Sequence, residues 1–313
     1  MSVSITLYDK QLITDLISKV KGKSALSALG QQIPVAFVGN KEFTFTMDQD
    51  IDIVAENGAK SHGGITLEPI TIVPVKFEYG ARISDEFMYA SDEQKVDYLT
   101  AFNDGFAKKL ATGLDLAAMH GINPRSKVVS SLVSSNSFDT LVTNTVTYNG
   151  STPDANIESA IAMVEGGDGD VTGIAISPTV RAALAAMTKA SGEKLYPDFA
   201  FGGQPATLGG QKLSINKTVS QGVKATSAAT AAIKDQGIVG DFANMFKWGY
   251  GKDISLEIIE YGNPDNSDNG DLKGHNQVYL RGEAYLGWAI FDAASFARII
   301  PSGGGTSIAP IGG

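Results

Sequence analysis

Asn276-Gln-Val-Tyr-Leu-Arg-Gly-Glu-Ala-Tyr-Leu-Gly-Trp-Ala-Ile-Phe291 reads as a single β-strand of unusual length. Val278, Leu280, Ala284, Leu286, Trp288 and Ile290 fall on one face, and Tyr279, Arg281, Glu283 and Tyr285 on the other. At about 3.3 Å per residue the run reaches roughly 50 Å, well past an ordinary globular strand. The stretch best able to pair with it lies far upstream, in Ile65 to Ser84. There Val73, Val75, Phe77, Tyr79, Ala81 and Ile83 alternate with Pro74, Lys76, Glu78 and Arg82. Two long ribbons paired across the chain predict a flat, extended subunit.

A second element matches that length. Ser91 and Gln94 have the spacing of a capping box, and Val96, Leu99, Phe102, Phe106, Leu110, Leu114 and Ala117 form a stripe that runs to a stop at Gly121. A helix over about 92–120 would be a rod of roughly 44 Å, able to back the ribbon. Gly105 and Gly113 interrupt it at about 1 kcal/mol each relative to alanine, which close packing or bending would explain. Asp85, Glu86, Asp92 and Glu93 cluster at its start, where negative charge complements the helix dipole.

Other regions are shorter in period. Leu12, Ile13, Leu16, Ile17 and Val20 mark an amphipathic helix over 8–20 that needs a partner; it is read as part of an arm outside the core, the alternative being a docked core helix. In 34–72, Phe37, Phe43, Phe45, Met47, Ile51 and Ile53 indicate strands, broken by Asn57-Gly58 and Gly63-Gly64 as in a hairpin. Residues 151–275 read as an inserted α/β module, with helices opening at Thr152-Pro153 and Ser177-Pro178 and strands at Val171–Ile176, Leu213–Val219, Gly237–Phe242 and Ile254–Ile259. Asp292 is expected to cap a short closing helix carrying Phe296 and Ile299, ended by Pro301, before a mobile tail over 301–313.

Composition narrows the chemistry. The 313 residues contain no cysteine, which excludes disulfides, thiolate nucleophiles and cysteine-ligated metals. No apolar run approaches a membrane span. A formal charge of -9 disfavours general binding to phosphates, although residues 1–33 carry four lysines against two aspartates. His62, His120 and His275 lack metal-pair spacing, and Ser61-His62-Gly63-Gly64 reads as a turn rather than a nucleophile loop. Gly167 to Gly173 precedes a strand where a dinucleotide fingerprint would follow one. Asp265-Asn-Ser-Asp-Asn-Gly-Asp271 is the most metal-like stretch, yet its twelfth position is Asn276 and it is read as a solvated loop. The expectation is a non-enzyme without metal or cofactor.

The order of elements resembles the major capsid protein of tailed bacteriophages, the α+β fold named for phage Hong Kong 97. Val73-Pro-Val-Lys76 with Arg82-Ile-Ser-Asp-Glu-Phe87, Ala175-Ile-Ser-Pro178, Gly237-Ile-Val-Gly-Asp-Phe242, and Leu280-Arg-Gly-Glu283 with Phe291-Asp-Ala-Ala-Ser-Phe-Ala297 carry the resemblance in sequence. It implies an N-terminal arm over 1–33, an extended loop over 34–72, a peripheral domain of 73–150 with 276–300 and its long spine helix, and an axial domain over 151–275. It also implies a virion shell of pentamers and hexamers around double-stranded DNA, assembled in the host bacterial cytoplasm with a portal, a separate scaffold or none, and only non-specific DNA contact. An encapsulin-like compartment enclosing cargo enzymes is the alternative, and a metal-dependent hydrolase a more distant one. Leu12, Leu16, Lys41, Phe43, Phe45 and Met47 are the expected subunit-interface residues. Little or no N-terminal cleavage is expected. Lys41 and Lys60 are the only lysines of the extended loop, and no covalent cross-link is expected, so boiled particles should give one gel band at the 32.8 kDa chain mass.

Overall fold

The computed structural model describes residues 24–60, 62–221 and 235–301. The long ribbon is β11 (Gln277–Ile290). Its six apolar residues of the first face are all buried, as the alternation requires. On one flank it pairs antiparallel with β4 (Val75–Ser84), from Gln277 opposite Ser84 to Leu286 opposite Val75. On the other it pairs antiparallel with β10 (Phe246–Ile259), from Phe246 opposite Ile290 to Ile259 opposite Tyr279. Ile254–Ile259 is therefore the end of a 14-residue strand of this sheet and not a separate strand of the inserted module. Gly249 and Gly251 break the apolar reading, and register shifts between Tyr250 and Ser255 conceal the continuity. A short parallel strand, β1 (Gln31–Gln32), completes the order β1-β10-β11-β4.

The long helix spans Asp92–His120, with both capping-box bonds between Ser91 and Gln94 formed and Gly121 ending it in the left-handed region (φ 61°, ψ 27°). Phe106, Leu110, Leu114 and Ala117 enter one core with Trp248, Leu286 and Trp288, while Leu99 joins Phe87, Val278 and Leu280 in a second. Val96, expected in the stripe, is exposed. A Cβ at Gly113 would lie 3.2 Å from the Phe77 ring of β4, so a side chain there would press on that ring by a few tenths of an ångström at this helix–sheet contact. Nothing in the structure explains Gly105, which faces open space.

A six-stranded sheet forms the second layer system, in the order β5 (Thr145–Thr147), β12 (Phe296–Ile300), β9 (Gly237–Gly240), β6 (Gly173–Ile176), β8 (Gln211–Ile215), β7 (Thr207–Leu208). The expected strand at Leu213–Val219 thus ends at Ile215, and a 3-10 turn over Lys217–Ser220 follows. Helices Pro153–Glu165 and Pro178–Ala186 bury Ile157, Ala160, Val164, Val180 and Leu184 against Ile174, Ile176, Val239 and Ile299. The closing helix expected after Asp292 is instead β12, parallel to β5 and antiparallel to β9. Phe296 and Ile299 mimic a helical face by their spacing, but Phe296, Ala297, Arg298 and Ile299 are all buried, the signature of an interior strand. Both ends of the expected peripheral range, at 145–147 and 296–300, thereby enter the sheet built around the inserted module.

The N-terminal segment also departs from expectation. Within the range read as an arm, Ser24 caps a short helix over Ala25–Leu29 whose Ala25, Leu26 and Leu29 lie in the main core. Five residues are too few to show a helical period in sequence.

Candidate subunit interface

Residues 34–72 form a two-stranded ribbon, β2 (Asn40–Met47) against β3 (Ile65–Ile72), which among the described residues has no third strand. Register fixes its faces. Lys41, Phe43, Phe45 and Met47 stand opposite Thr71, Pro69, Leu67 and Ile65, so these positions share one side. Phe43 is 61% exposed, Met47 65%, Ile65 62% and Leu67 56%. Glu42, Thr44, Thr66 and Glu68 stand on the other side together with Ile70 and Ile72, so that side is apolar at the root and polar towards the tip. Ile51 and Ile53, expected in strands, lie beyond the ribbon without strand pairing at 97% and 98% exposure. Leu12 and Leu16 lie outside the described residues.

The base of the ribbon is fixed where its blade is not. Ile72 is buried with Val35 and Ala289 beside the C-terminal end of β11. Glu42 accepts from Lys247 Nζ at 2.8 Å, and that ammonium sits 4.7 Å from the centroid of the Phe291 ring. Phe37 meets Tyr285 edge-on at 5.1 Å. Asn40 closes the preceding turn, accepting from Ala36 N and donating to Pro34 O. Among the described residues the root is held by these contacts while the apolar blade is uncovered.

The metal-like loop is spent on a cation of the chain itself. Arg82 donates through Nε and Nη2 to the Asp265 carboxylate, and through Nη2 also to Asn263 Oδ1 at 2.7 Å and Gly270 O at 2.9 Å. The Arg82 hydrogen bonds hold the Asp265 carboxyl well below the usual carboxylate range. Of that stretch, the Asp265 carboxylate and the Gly270 carbonyl hold a guanidinium, which cross-braces the turn between β10 and β11 to β4.

Charge is also buried where the two sheets meet. His120, the last residue of the long helix, has Nδ1 2.9 Å from Asp139 Oδ2 and Nε2 2.9 Å from the Thr218 carbonyl. Both partners are acceptors, so the ring carries two protons. Burial opposes that charge, but Asp139, then Asp235 and the Thr218 carbonyl, outweigh it and raise the pKa to about 9. Arg298 of β12 donates to Asp235 at 2.7 and 3.2 Å and to the Asp139 carbonyl at 3.0 Å. Burial, reinforced by the Asp139 charge, pushes Asp235 up to about 6 despite that guanidinium. Asp115 accepts from Ala25 N, Leu26 N, Ser24 Oγ and Thr218 Oγ1, so one carboxylate caps the N-terminal helix and pins the 217–220 turn. None of these groups was singled out from sequence except His120; the available signal was an aspartate set between Leu114 and Leu116 in an apolar stripe.

The phage capsid family model matches residues 6–299. The chain belongs to that family. Among solved structures, a chain from Mycobacterium phage Ogopogo is 28% identical at a TM-score of 0.74, covering 90% of this chain and 92% of that one. One from Gordonia phage Cozz is 23% identical with a TM-score of 0.70, covering 90% and 87%. The capsid of the empty GTA particle, computed with C5 symmetry, shares the fold at 17% identity and a TM-score of 0.59, covering 89% and 90%. No curated protein matches. The long ribbon, the backing helix and the projecting hairpin are thus those of a tailed-phage major capsid protein with the Hong Kong 97-like fold.

Proposed function

We propose that copies of this chain form pentamers and hexamers that close into an icosahedral shell around double-stranded DNA, and that each hairpin lays its Phe43–Met47 face on a neighbouring subunit. The observation that carries this is the blade itself. A two-stranded ribbon is marginally stable alone in water, yet this one holds Phe43, Met47, Ile65 and Leu67 in the open on a fixed root. Exposed apolar surface of that kind marks an interface. Lys41, Phe45, Leu12 and Leu16 belong to the same proposed contact, Lys41 and Phe45 by register and the two leucines as part of the arm.

Family membership supports a phage shell over the compartment shell, and a structural role over an enzymatic one. A portal and a scaffold are the further partners this reading calls for, with assembly in the host cytoplasm. Negative-stain microscopy of the purified chain, with and without a co-expressed scaffold, should show closed hollow particles. Particles loaded with a host enzyme and free of nucleic acid would instead indicate the compartment reading.

A further inference from the structure

One backbone position near the six-stranded sheet is strained without a reason inside the subunit. Phe201, in the turn over Pro197–Gly202, has a φ of 52° and a ψ of 30°. Glycine adopts that left-handed conformation freely, and asparagine and aspartate tolerate it best among the rest. Asn57, Asp168, Asn266 and Asn276 follow the rule, and Lys127 is the other departure among the described residues. Gly202, the next residue, is also left-handed at φ 87°, and there the chain does use glycine. The phenylalanine is therefore not present for the turn. Nor does it serve the core, since its side chain is fully exposed while that of Phe199, two residues earlier, is buried.

The turn is held on both sides of the exposed ring. The Phe199 side chain meets Tyr196 edge-on at 6.4 Å, and its carbonyl accepts from Arg181 Nη1 at 3.2 Å. Gly203 N donates to Ala200 O at 2.9 Å, and a Cβ at Gly203 would lie 2.0 Å from Asp198 O, so the chain doubles back tightly just after Phe201. Immediately beyond, Pro205 and Ala206 line a groove together with Ala28 of the N-terminal helix and Leu213 and Ile215 of β8. Its volume is about 220 Å³, and no charged side chain lines it. Two of its polar residues are already engaged, Ser24 with Asp115 and Asn216 with Thr218 N. A cavity of about 150 Å³ admits a benzene ring, whereas pockets for drug-sized or cofactor-sized ligands begin at about 300 Å³. The groove has room for one phenyl ring and little more, and the chain's own Phe201 ring stands in solvent instead of filling it.

A knob and a socket of matching size, both unfilled and on different patches of one chain, can fill each other only between copies. We propose that the Phe201 ring of one copy inserts into the groove lined by Ala28, Pro205, Ala206, Leu213 and Ile215 of the next. Such a contact is heterologous, and repeated head to tail it closes into a ring when the rotation between copies allows. The proposal rests on the shell reading and adds to it the side chain that joins successive members of one ring, a contact separate from the hairpin blade. Aromatic side chains seated in pockets are the usual anchors of an interface. The tight turn fixes the direction of the ring beforehand, so less freedom is lost when it docks, and that is what the backbone strain at residue 201 accomplishes.

The test uses the sign of the strain. In the full-length chain Phe201→Gly removes the knob and relieves the turn, so the subunit should melt at or above the wild-type temperature while the protein concentration needed for assembly rises by about tenfold or more. Ala206→Glu, which sets a carboxylate in the groove from an exposed position, should raise it likewise. Because the chain has no cysteine, copies carrying Ala200→Cys can be mixed with copies carrying Ser214→Cys and treated with a short bismaleimide. The mixture should give far more cross-linked dimer on a denaturing gel than either variant alone. Wild-type assembly by Phe201→Gly, or a mixture that cross-links no more than the single variants, overturns the contact and leaves the shell reading standing. Early melting of Phe201→Gly would return the ring to the subunit's own fold, and loss of assembly with Phe201→Gly but not with Ala206→Glu would put the ring on another surface; either result overturns the proposal. If the wild-type chain forms no particles the shell reading fails, and cross-linking of the mixed subunits in solution still decides this contact, its absence contradicting it.

Discussion

The hairpin blade and the junction around Arg298 invert the usual placement of side chains in opposite ways. The blade puts Phe43, Met47, Ile65 and Leu67 into water, whereas the junction puts His120, Asp115, Asp139, Asp235 and Arg298 where water is absent. Each would be unfavourable in isolation, since exposed apolar surface forfeits the hydrophobic gain and buried charge loses hydration. The junction resolves its cost inside one chain, because every charge there has a partner drawn from a different segment. It ties the docked N-terminal helix, the end of the long helix, the 217–220 turn and β12 into one arrangement. Among the described residues the blade has no such solution. One region specifies how a single chain folds, and the other is the face proposed to meet another copy.

Breaking the blade should have the largest effect on particles and the smallest on the subunit. Phe43→Ser with Met47→Ser removes two anchors; interface anchors are worth about 2 kcal/mol or more each, a loss repeated at every symmetry-related contact. Closed particles should vanish in micrographs while the thermal melting curve of the subunit stays within a degree or two of wild type. Unfolding of the subunit would instead place those side chains in its own core.

Breaking the junction should do the reverse. Arg298→Ala leaves Asp139 and Asp235 buried without their guanidinium, a class of change that costs about 3–5 kcal/mol. The subunit should then melt far earlier, or fail to accumulate in soluble form, with particles lost only as a consequence. Arg298→Met combined with Asp235→Asn, which removes charge from both sides, should recover part of that loss in chemical denaturation.

A smaller effect sharpens the same contrast through pH. The folded pKa of His120, about 9, stands above its ordinary value of 6.5. Its stabilising contribution is therefore complete below 6.5 and lost as pH rises through about 9. Melting temperature should fall from neutral to alkaline pH in the wild type, and the fall should be weaker in His120→Gln. Hairpin variants, which leave His120 and its partners in place, should keep the wild-type pH profile.

The regular elements were the legible part of the sequence. The alternation of Val278 to Ile290 and the stripe from Leu99 to Ala117 are dictated by which faces are buried, and both appear with boundaries within a residue or two. Phe43 and Met47 were legible as one face, since alternation on a ribbon with no neighbouring strand leaves few alternatives. Regions whose role depends on contacts distant in sequence were not. Phe296 and Ile299 have helical spacing, and only the presence of β5 and β9 on either side makes them a strand. The Asp265 loop displays metal ligands, and only Arg82, on a remote strand, shows what fills it. Asp115 carries a local sign, set as it is in an apolar stripe, but Asp139, Asp235 and Arg298 are ordinary surface residue types, and nothing local says that they converge in the interior.

The central claim is that the blade is uncovered in the subunit and covered in the particle. Because the chain has no cysteine, Leu67→Cys would supply a single reporter on that face, and its rate of reaction with a maleimide can be measured in free subunits and in purified particles. The account predicts rapid labelling of subunits and strong protection in particles, since the core of an interface is packed as densely as a protein interior. Equal labelling rates in the two states would contradict it.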